Sequence, residues 1–130
     1  MYHRDYIIRM LQQLIQFLAY LAGLVQSDDP RLIAIELEAA FQRFLGLPRD
    51  LILRMEVQAL VELFSVTGHL DSDRLIIAAL LLKEESKQSI RTGYEDEGAI
   101  LLKRSNQLID IAKSNGISKE IQSLIKDALA

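Results

Sequence analysis

Apolar residues recur at intervals of three and four through most of this 130-residue chain, and no segment alternates apolar and polar residues over a useful length. Intervals of three and four place side chains on one side of an α-helix, whereas alternation is typical of a half-buried β-strand. Half of the residues are apolar, yet only 4 are valine. The sequence therefore predicts an all-α fold, with about six or seven helices stacked as antiparallel helical hairpins.

Residues that favour helix ends divide the chain into the parts of one domain, which we expect to span residues 1–130. Asp5 is the expected N-cap of the first helix, Pro30 suits the first position of the second, and Gly46 suits the end of the second. Asp71 and Gly116 frame a later hairpin in the same way. We therefore predict a hairpin over 5–45, short helices over 49–64, a second hairpin over 71–114 and a C-terminal helix over 118–129.

The middle of the chain and the helix that follows it carry more detailed predictions. The buried side of the short helices is expected to contain Leu51, Leu60, Leu63 and Phe64. Residues 65–70 contain Gly68 and are expected to form a turn. The next helix begins with an apolar block over 75–82, which predicts burial, and continues with a polar segment over 83–91, which we expect to lie exposed.

Composition excludes several classes of function. The chain has no cysteine, so disulfides, thiolate metal sites and cysteine nucleophiles are absent, and its six glycines stand singly, without a phosphate-binding loop. The only histidines are His3 and His69, far from a metal-binding spacing. The net charge is −3, and the lysines and arginines of the second hairpin alternate with glutamates. We therefore expect no metal, no cofactor and no nucleic-acid partner, and we expect the chain not to be an enzyme.

The first helix is apolar enough to raise the question of a membrane. Arg9, Gln12, Gln13 and Gln16 interrupt the stretch over 7–25, and its longest apolar run is nine residues, over 17–25. A helix needs about 20 apolar residues to span a bilayer. We therefore predict a buried helix rather than a membrane span, and a cytoplasmic protein.

The first helix also carries more apolar surface than one neighbouring helix covers. Its principal stripe consists of Ile7, Met10, Leu11, Leu14, Leu18, Leu21 and Val25. Such a helix has to be covered on more than one side, either by the rest of the domain or by a second copy of the chain. The polar stripe beside it contains three tyrosines and suits a protein interface, although ordinary boundary residues would form the same pattern. The candidate partner-binding residues are Tyr2, Tyr6, Arg9, Gln13, Gln16 and Tyr20.

About a third of the chain, in the second hairpin, resembles a tetratricopeptide unit, which is a helical hairpin of about 34 residues. A small residue, Gly98 or Ala99, stands near the start of the second helix, where such units allow their two helices to approach closely. Leu102 and Ser105 stand where a large and then a small residue are expected. The resemblance implies a tetratricopeptide-like second half.

The whole chain also resembles a family of short bacterial proteins. The segments that carry the resemblance are Asp5-Tyr6-Ile7-Ile8-Arg9-Met10-Leu11-Gln12-Gln13, Leu45-Gly46-Leu47 and Gly68-His69-Leu70-Asp71. They are similar to an opening motif, a helix break and a turn in uncharacterised, mostly Gram-positive proteins. The resemblance implies an all-helical, cytoplasmic protein with a tetratricopeptide-like C-terminal part, and it implies no activity.

Taken together, these patterns favour a non-enzymatic protein that works by protein–protein contact. We expect its partner to be a protein or peptide, and we expect the chain to self-associate, with a homodimer as the simplest assembly. The alternative is a helical bundle that binds a small molecule or a lipid, or an unrecognised enzyme, either of which would require a closed apolar pocket with converging polar groups.

Overall fold

Helices account for nearly all of the chain. In a computed structural model, the described residues, 2–25 and 29–129, form seven helices and one two-stranded hairpin, and side chains are described for 5–24, 29–126 and 128. The all-α fold and the number of helices are therefore confirmed. The elements in order are α1 (Tyr2–Val25), α2 (Pro30–Leu45), α3 (Arg49–Arg54), α4 (Val57–Leu63), β1 (Ser65–Val66), β2 (His69–Leu70), α5 (Ser72–Arg91), α6 (Glu95–Ser114) and α7 (Lys119–Leu129).

The helix α5 is the centre of the fold. All eight apolar residues over 75–82 are buried, because α1, α2 and α6 pack around this part of α5. A helix that is apolar on every side is stable only when it is covered on every side. The N-cap Asp71 accepts a hydrogen bond from the Arg74 amide, and the Arg74 side chain donates to the Leu45 carbonyl at 2.9 Å. The start of α5 is thereby tied to the end of α2.

The pair α5 and α6 is the most closely packed in the chain. Gly98 is buried near the start of α6, and its carbonyl accepts a hydrogen bond of 2.6 Å from the Ser86 hydroxyl on α5. Seven positions further along α6, the buried Ser105 hydroxyl donates to the Ala79 carbonyl at 2.7 Å. Small residues at the contact let the two backbones approach, and each buried hydroxyl has a partner there. Of the two small residues that the sequence offered for this role, Gly98 is buried and Ala99 is exposed.

The first helix packs within its own chain. Leu11, Leu14 and Leu21 are fully buried, and α1 contacts α2, α5 and α7. The exposed side of α1 carries polar residues, tyrosines, alanines and a glycine. Three helices of the same chain therefore bury the core side of α1, whereas the residues that widen its apolar surface, such as Ile8 and Ile15, are only partly covered.

The observed helix boundaries correct several details. The helix α1 begins at Tyr2, so Asp5 lies in its first turn and is not its N-cap, and the first hairpin extends over 2–45 instead of 5–45. In the short helices Leu51 and Leu63 are exposed, whereas Ile52 is buried. The reason is the rotation of α3: Arg49 points towards α5, so the residue three positions later faces inward and Leu51 faces outward.

The predicted turn over 65–70 is a small β-hairpin. Ser65 pairs with Leu70 and Val66 pairs with His69, while Thr67 and Gly68 have φ values of 50° and 80°. Two consecutive left-handed residues form the turn whose twist matches that of antiparallel strands. The strands are two residues long, which is too short for an alternating pattern to reveal them.

Two glycine substitutions test the close approach of α5 and α6. A Cβ atom at position 98 would lie 2.5 Å from Ile90 Cγ1 and 3.0 Å from the Ser86 carbonyl oxygen, whereas one at Gly23 would meet nothing within 4 Å. We expect Gly98→Ala to lower the free energy of unfolding by about 1–2 kcal/mol, because overpacking outweighs the gain in helix propensity. The control Gly23→Ala should raise it by about 0.5 kcal/mol. Urea denaturation measures both, and a stabilising Gly98→Ala would contradict the close contact.

Candidate functional site

An open groove runs along one side of α6. Three adjoining depressions, with volumes between about 340 and 420 Å³, form it and lie open to solvent. The first and second share Ile100 and Arg104, and the second and third share Val57, Gln58 and Gln107. We call this continuous surface the α6 groove.

The length of the groove follows from the spacing of its α6 residues. They stand three and four positions apart, on one side of the helix, and are Glu97, Ile100, Arg104, Gln107 and Ile111. Fourteen residues separate the first from the last, which corresponds to about 21 Å, or four helical turns. The opposite wall is formed by α3 and α4, through Leu53, Val57 and Gln58. The groove is therefore long enough for a helical segment.

The floor of the groove is apolar and its rims are charged. Leu53, Val57 and Ile100 leave apolar surface in contact with water, and Ile100 is 52% exposed. Contact with another apolar surface would remove that area from water, which is favourable by roughly 25 cal/mol per Å². Along the rim an acidic residue, Glu97, is followed by the basic Lys103 and Arg104.

A bidentate ion pair between α3 and α5 lines one end of the groove. Arg49 donates from Nε to Glu85 Oε1 at 2.6 Å and from Nη2 to Glu85 Oε2 at 2.9 Å. Glu85 is buried and Arg49 is partly exposed. The hydrogen bond to Glu85 raises the pKa of Arg49 above its ordinary value, although partial burial opposes the shift, and the nearby Asp50 and Glu38 add smaller effects in the same direction as Glu85. Arg49 therefore stays charged and anchors α3 to α5.

This ion pair lies in a segment that the sequence predicted to be exposed. Over 83–91, the side chains of Glu84, Glu85 and Ser86 are buried. The prediction is wrong for these three residues because their polar groups have partners within the fold: Arg49 neutralises Glu85, Gln88 donates to Glu84, and Ser86 donates to Gly98. Paired polar groups can be buried where isolated ones cannot. The residues of this segment that are exposed as expected are Lys87, Ile90 and Arg91.

Arg104 connects the groove wall to the short helices. Its Nη1 donates to the Leu53 carbonyl at 3.1 Å. Carbonyls in the last turn of a helix have no partner within that helix, so this bond satisfies one at the end of α3. Arg104 thereby holds α3 beside α6 and keeps the groove at a fixed width.

The predicted partner-binding residues form a separate surface. Tyr6, Arg9, Gln13, Gln16 and Tyr20 are exposed and share one side of α1, whereas the side chain of Tyr2 lies outside those that the structure describes. Gln13 accepts a hydrogen bond from Arg43 of α2 at 3.3 Å, and the ring centroid of Tyr20 lies 6.5 Å from that of Phe17. The structure thus brings five of the six together as one exposed stripe, the α1 stripe, and none of them lines the α6 groove.

The groove residues were missed because they come from four helices. Their only signal in the sequence is the interval of three and four from Glu97 to Ile111, which also describes an ordinary solvated face. The pairing of Arg49 with Glu85, 36 positions apart, depends on how α3 sits against α5. Sequence spacing does not give that arrangement.

Among the side chains that the structure describes, no group of three or more histidine, aspartate or glutamate residues is placed to hold a metal ion.

One described helix, over Asp5–Leu24, is long and apolar enough to cross a membrane by length and composition. Core helices of soluble proteins and signal sequences have the same length and composition. The packing of this helix against three other helices is compatible with a soluble protein.

In comparisons with protein-family models, curated proteins and solved structures, no match to this chain was found.

The ion pair in the groove gives a stability test. We expect Arg49→Met to lower the free energy of unfolding by about 3 kcal/mol, because it leaves the buried Glu85 carboxylate without its partner. The double variant Arg49→Met/Glu85→Leu should recover most of that loss, since no charge remains buried. Urea denaturation of both variants and of Glu85→Leu alone checks this, and a loss in the double variant equal to the sum of the two single losses would show that the side chains are not coupled.

Proposed function

We propose that this chain is a non-enzymatic protein-interaction domain and that its α6 groove binds an amphipathic helix of a partner protein. The observation that carries the proposal is the continuity of an open groove with an apolar floor over about four turns of α6. Amphipathic helices bind proteins by laying their apolar side into grooves of this kind.

The charges on the rim define the partner more closely. Glu97 and Arg104 are seven residues apart on α6, which corresponds to about 10 Å along the groove. A complementary helix carries a basic residue opposite Glu97, an apolar residue opposite Ile100, and an acidic residue opposite Lys103 and Arg104. Opposite charges at such positions set orientation and partner choice more than raw affinity.

The open form of the groove favours a macromolecule over a small ligand. A binding site for a small molecule or lipid encloses most of its ligand and directs a few polar groups towards it. The depressions of the α6 groove are open along their length. We therefore prefer protein binding to the alternative of a ligand-binding bundle or an enzyme.

We also propose a cytoplasmic location, a tetratricopeptide-like packing of α5 against α6, and membership of the short bacterial family that the sequence resembles. The α1 stripe is a second surface for protein contact, because its tyrosines and amides are exposed without being charged.

A matched pair of variants tests the groove. The probe is a fluorescein-labelled helical peptide of about 18 residues with lysine, leucine and glutamate at positions i, i+4 and i+7, and fluorescence anisotropy measures its binding. We expect saturable binding to the unchanged chain and at least about tenfold weaker binding to Ile100→Asp, which places a charge on the apolar floor. Leu102→Asp is the control, because Leu102 is 37% exposed on the same helix and does not line the groove.

Two results would contradict the proposed function. One is the absence of saturable binding to the unchanged chain. The other is an equal loss in Ile100→Asp and Leu102→Asp, which would indicate a nonspecific effect on α6. A peptide with glutamate in place of its lysine should bind more weakly than the probe, because it offers no cation to Glu97 in either helix direction.

A further inference from the structure

The outer side of α2 carries an exposed stripe that no described part of the chain covers. Its residues stand four, three and four positions apart and are Arg31, Ile35, Glu38 and Gln42. All four are exposed, and Ile35 is 62% exposed. A single exposed isoleucine is common on protein surfaces, so the stripe indicates a contact only if a matching surface exists elsewhere on the chain. We call these four residues the α2 stripe.

The α6 groove offers that matching surface. In the α2 stripe, a basic residue, Arg31, precedes an acidic residue, Glu38, by seven positions, with Ile35 between them. In the groove, the acidic Glu97 precedes the basic Arg104 by seven positions, with Ile100 between them. Both intervals correspond to about 10 Å of helix, so the two patterns agree in length and oppose each other in charge.

We propose that the α2 stripe of one copy docks in the α6 groove of a second copy of this chain. With the two helices side by side in the same direction, Arg31 lies opposite Glu97, Ile35 contacts Ile100 and Leu53, and Glu38 lies opposite Lys103 and Arg104. The inference rests on the proposed function of the groove and names its occupant.

The α1 stripe fits the groove less well. Its exposed residues include one cation, Arg9, followed by the uncharged Gln13, Gln16 and Tyr20. It therefore offers no acidic group for Lys103 and Arg104. The α2 stripe provides both signs of charge at the required interval, and for that reason we assign it to the groove.

The contact joins two different surfaces of the chain. Two copies related by a twofold axis can seat both stripes in both grooves at once, which gives a closed dimer. Where only one stripe is seated, the contact is heterologous, and it builds rings when the rotation between copies closes and open chains when it does not. In either case the assembly forms only when the α2 stripe and the α6 groove are both intact.

The decisive experiment combines two complementary variants. Ile35→Asp disables the stripe and Ile100→Asp disables the groove, and both positions are exposed, so both variants are expected to fold. By sedimentation velocity, the unchanged chain and the control Leu102→Asp should form larger species as the concentration rises, whereas each variant alone should remain a monomer. An equimolar mixture should form a 1:1 dimer and nothing larger, because one good stripe meets one good groove.

A charge exchange provides an independent arm. Glu38→Lys should weaken association at least about tenfold, and combining it with Lys103→Glu should restore part of the loss. Raising the salt concentration should weaken association of the unchanged chain, because the paired charges lie on the rim. A combined variant that associates no better than Glu38→Lys alone would count against the proposed register.

The outcomes separate the two proposals. An unchanged chain that stays monomeric at all concentrations, yet binds the labelled peptide through Ile100, overturns the second-copy inference and leaves the groove function in place. An unchanged chain that neither associates nor binds the labelled peptide overturns both the second-copy inference and the proposed function of the groove. Association that survives Ile35→Asp but is abolished by Tyr6→Ala or Tyr20→Ala overturns the inference and assigns self-association to the α1 stripe.

Discussion

The burial of α5 is the constraint on which the rest of the structure depends. Eight consecutive apolar residues leave this helix no side that water can contact, so other helices have to cover it all around. On the α6 side the two backbones approach at Gly98, and the Ser86 and Ser105 hydroxyls bond to carbonyls of the facing helix. On the other sides α1 and α2 complete the cover. The short helices α3 and α4 then border α6, and the gap between them is the α6 groove.

The fold could be predicted from sequence where a local pattern determines it. The intervals of three and four, together with Pro30, Gly46 and Asp71 at helix ends, are sufficient for the helices and their approximate limits. Details failed where a long-range contact decides. The rotation of α3, which buries Ile52 and exposes Leu51, follows from the bond between Arg49 and Glu85. That bond joins two helices, so the pattern of residues within a single helix does not predict it.

The candidate site was harder to predict than the fold for the same reason. The α1 stripe lies on a single helix, so its exposed residues could be named in advance, and five of them do share one surface. The groove requires side chains from α3, α4, α5 and α6 to converge, and their mutual placement is a property of packing. The polar pattern of 83–91 predicts a solvated segment. The pattern does not show that Arg49, which lies 36 positions before Glu85, pairs with that residue.

Because α1 packs against other helices of its own chain, other surfaces become candidates for self-association. The apolar excess of α1 suggested a second copy, and α2, α5 and α7 of the same chain cover part of it. What remains exposed elsewhere includes single aliphatic residues, which are common on protein surfaces and indicate a contact only where their surroundings match another surface. Ile35 on α2 and Ile100 on α6 are two such residues, and each stands between charges of opposite sign. The order of those charges is reversed between the two helices, so the two surfaces attract each other when the helices lie in the same direction. A contact between them closes into a dimer when each copy reaches the groove of the other, and continues as a head-to-tail chain when it does not.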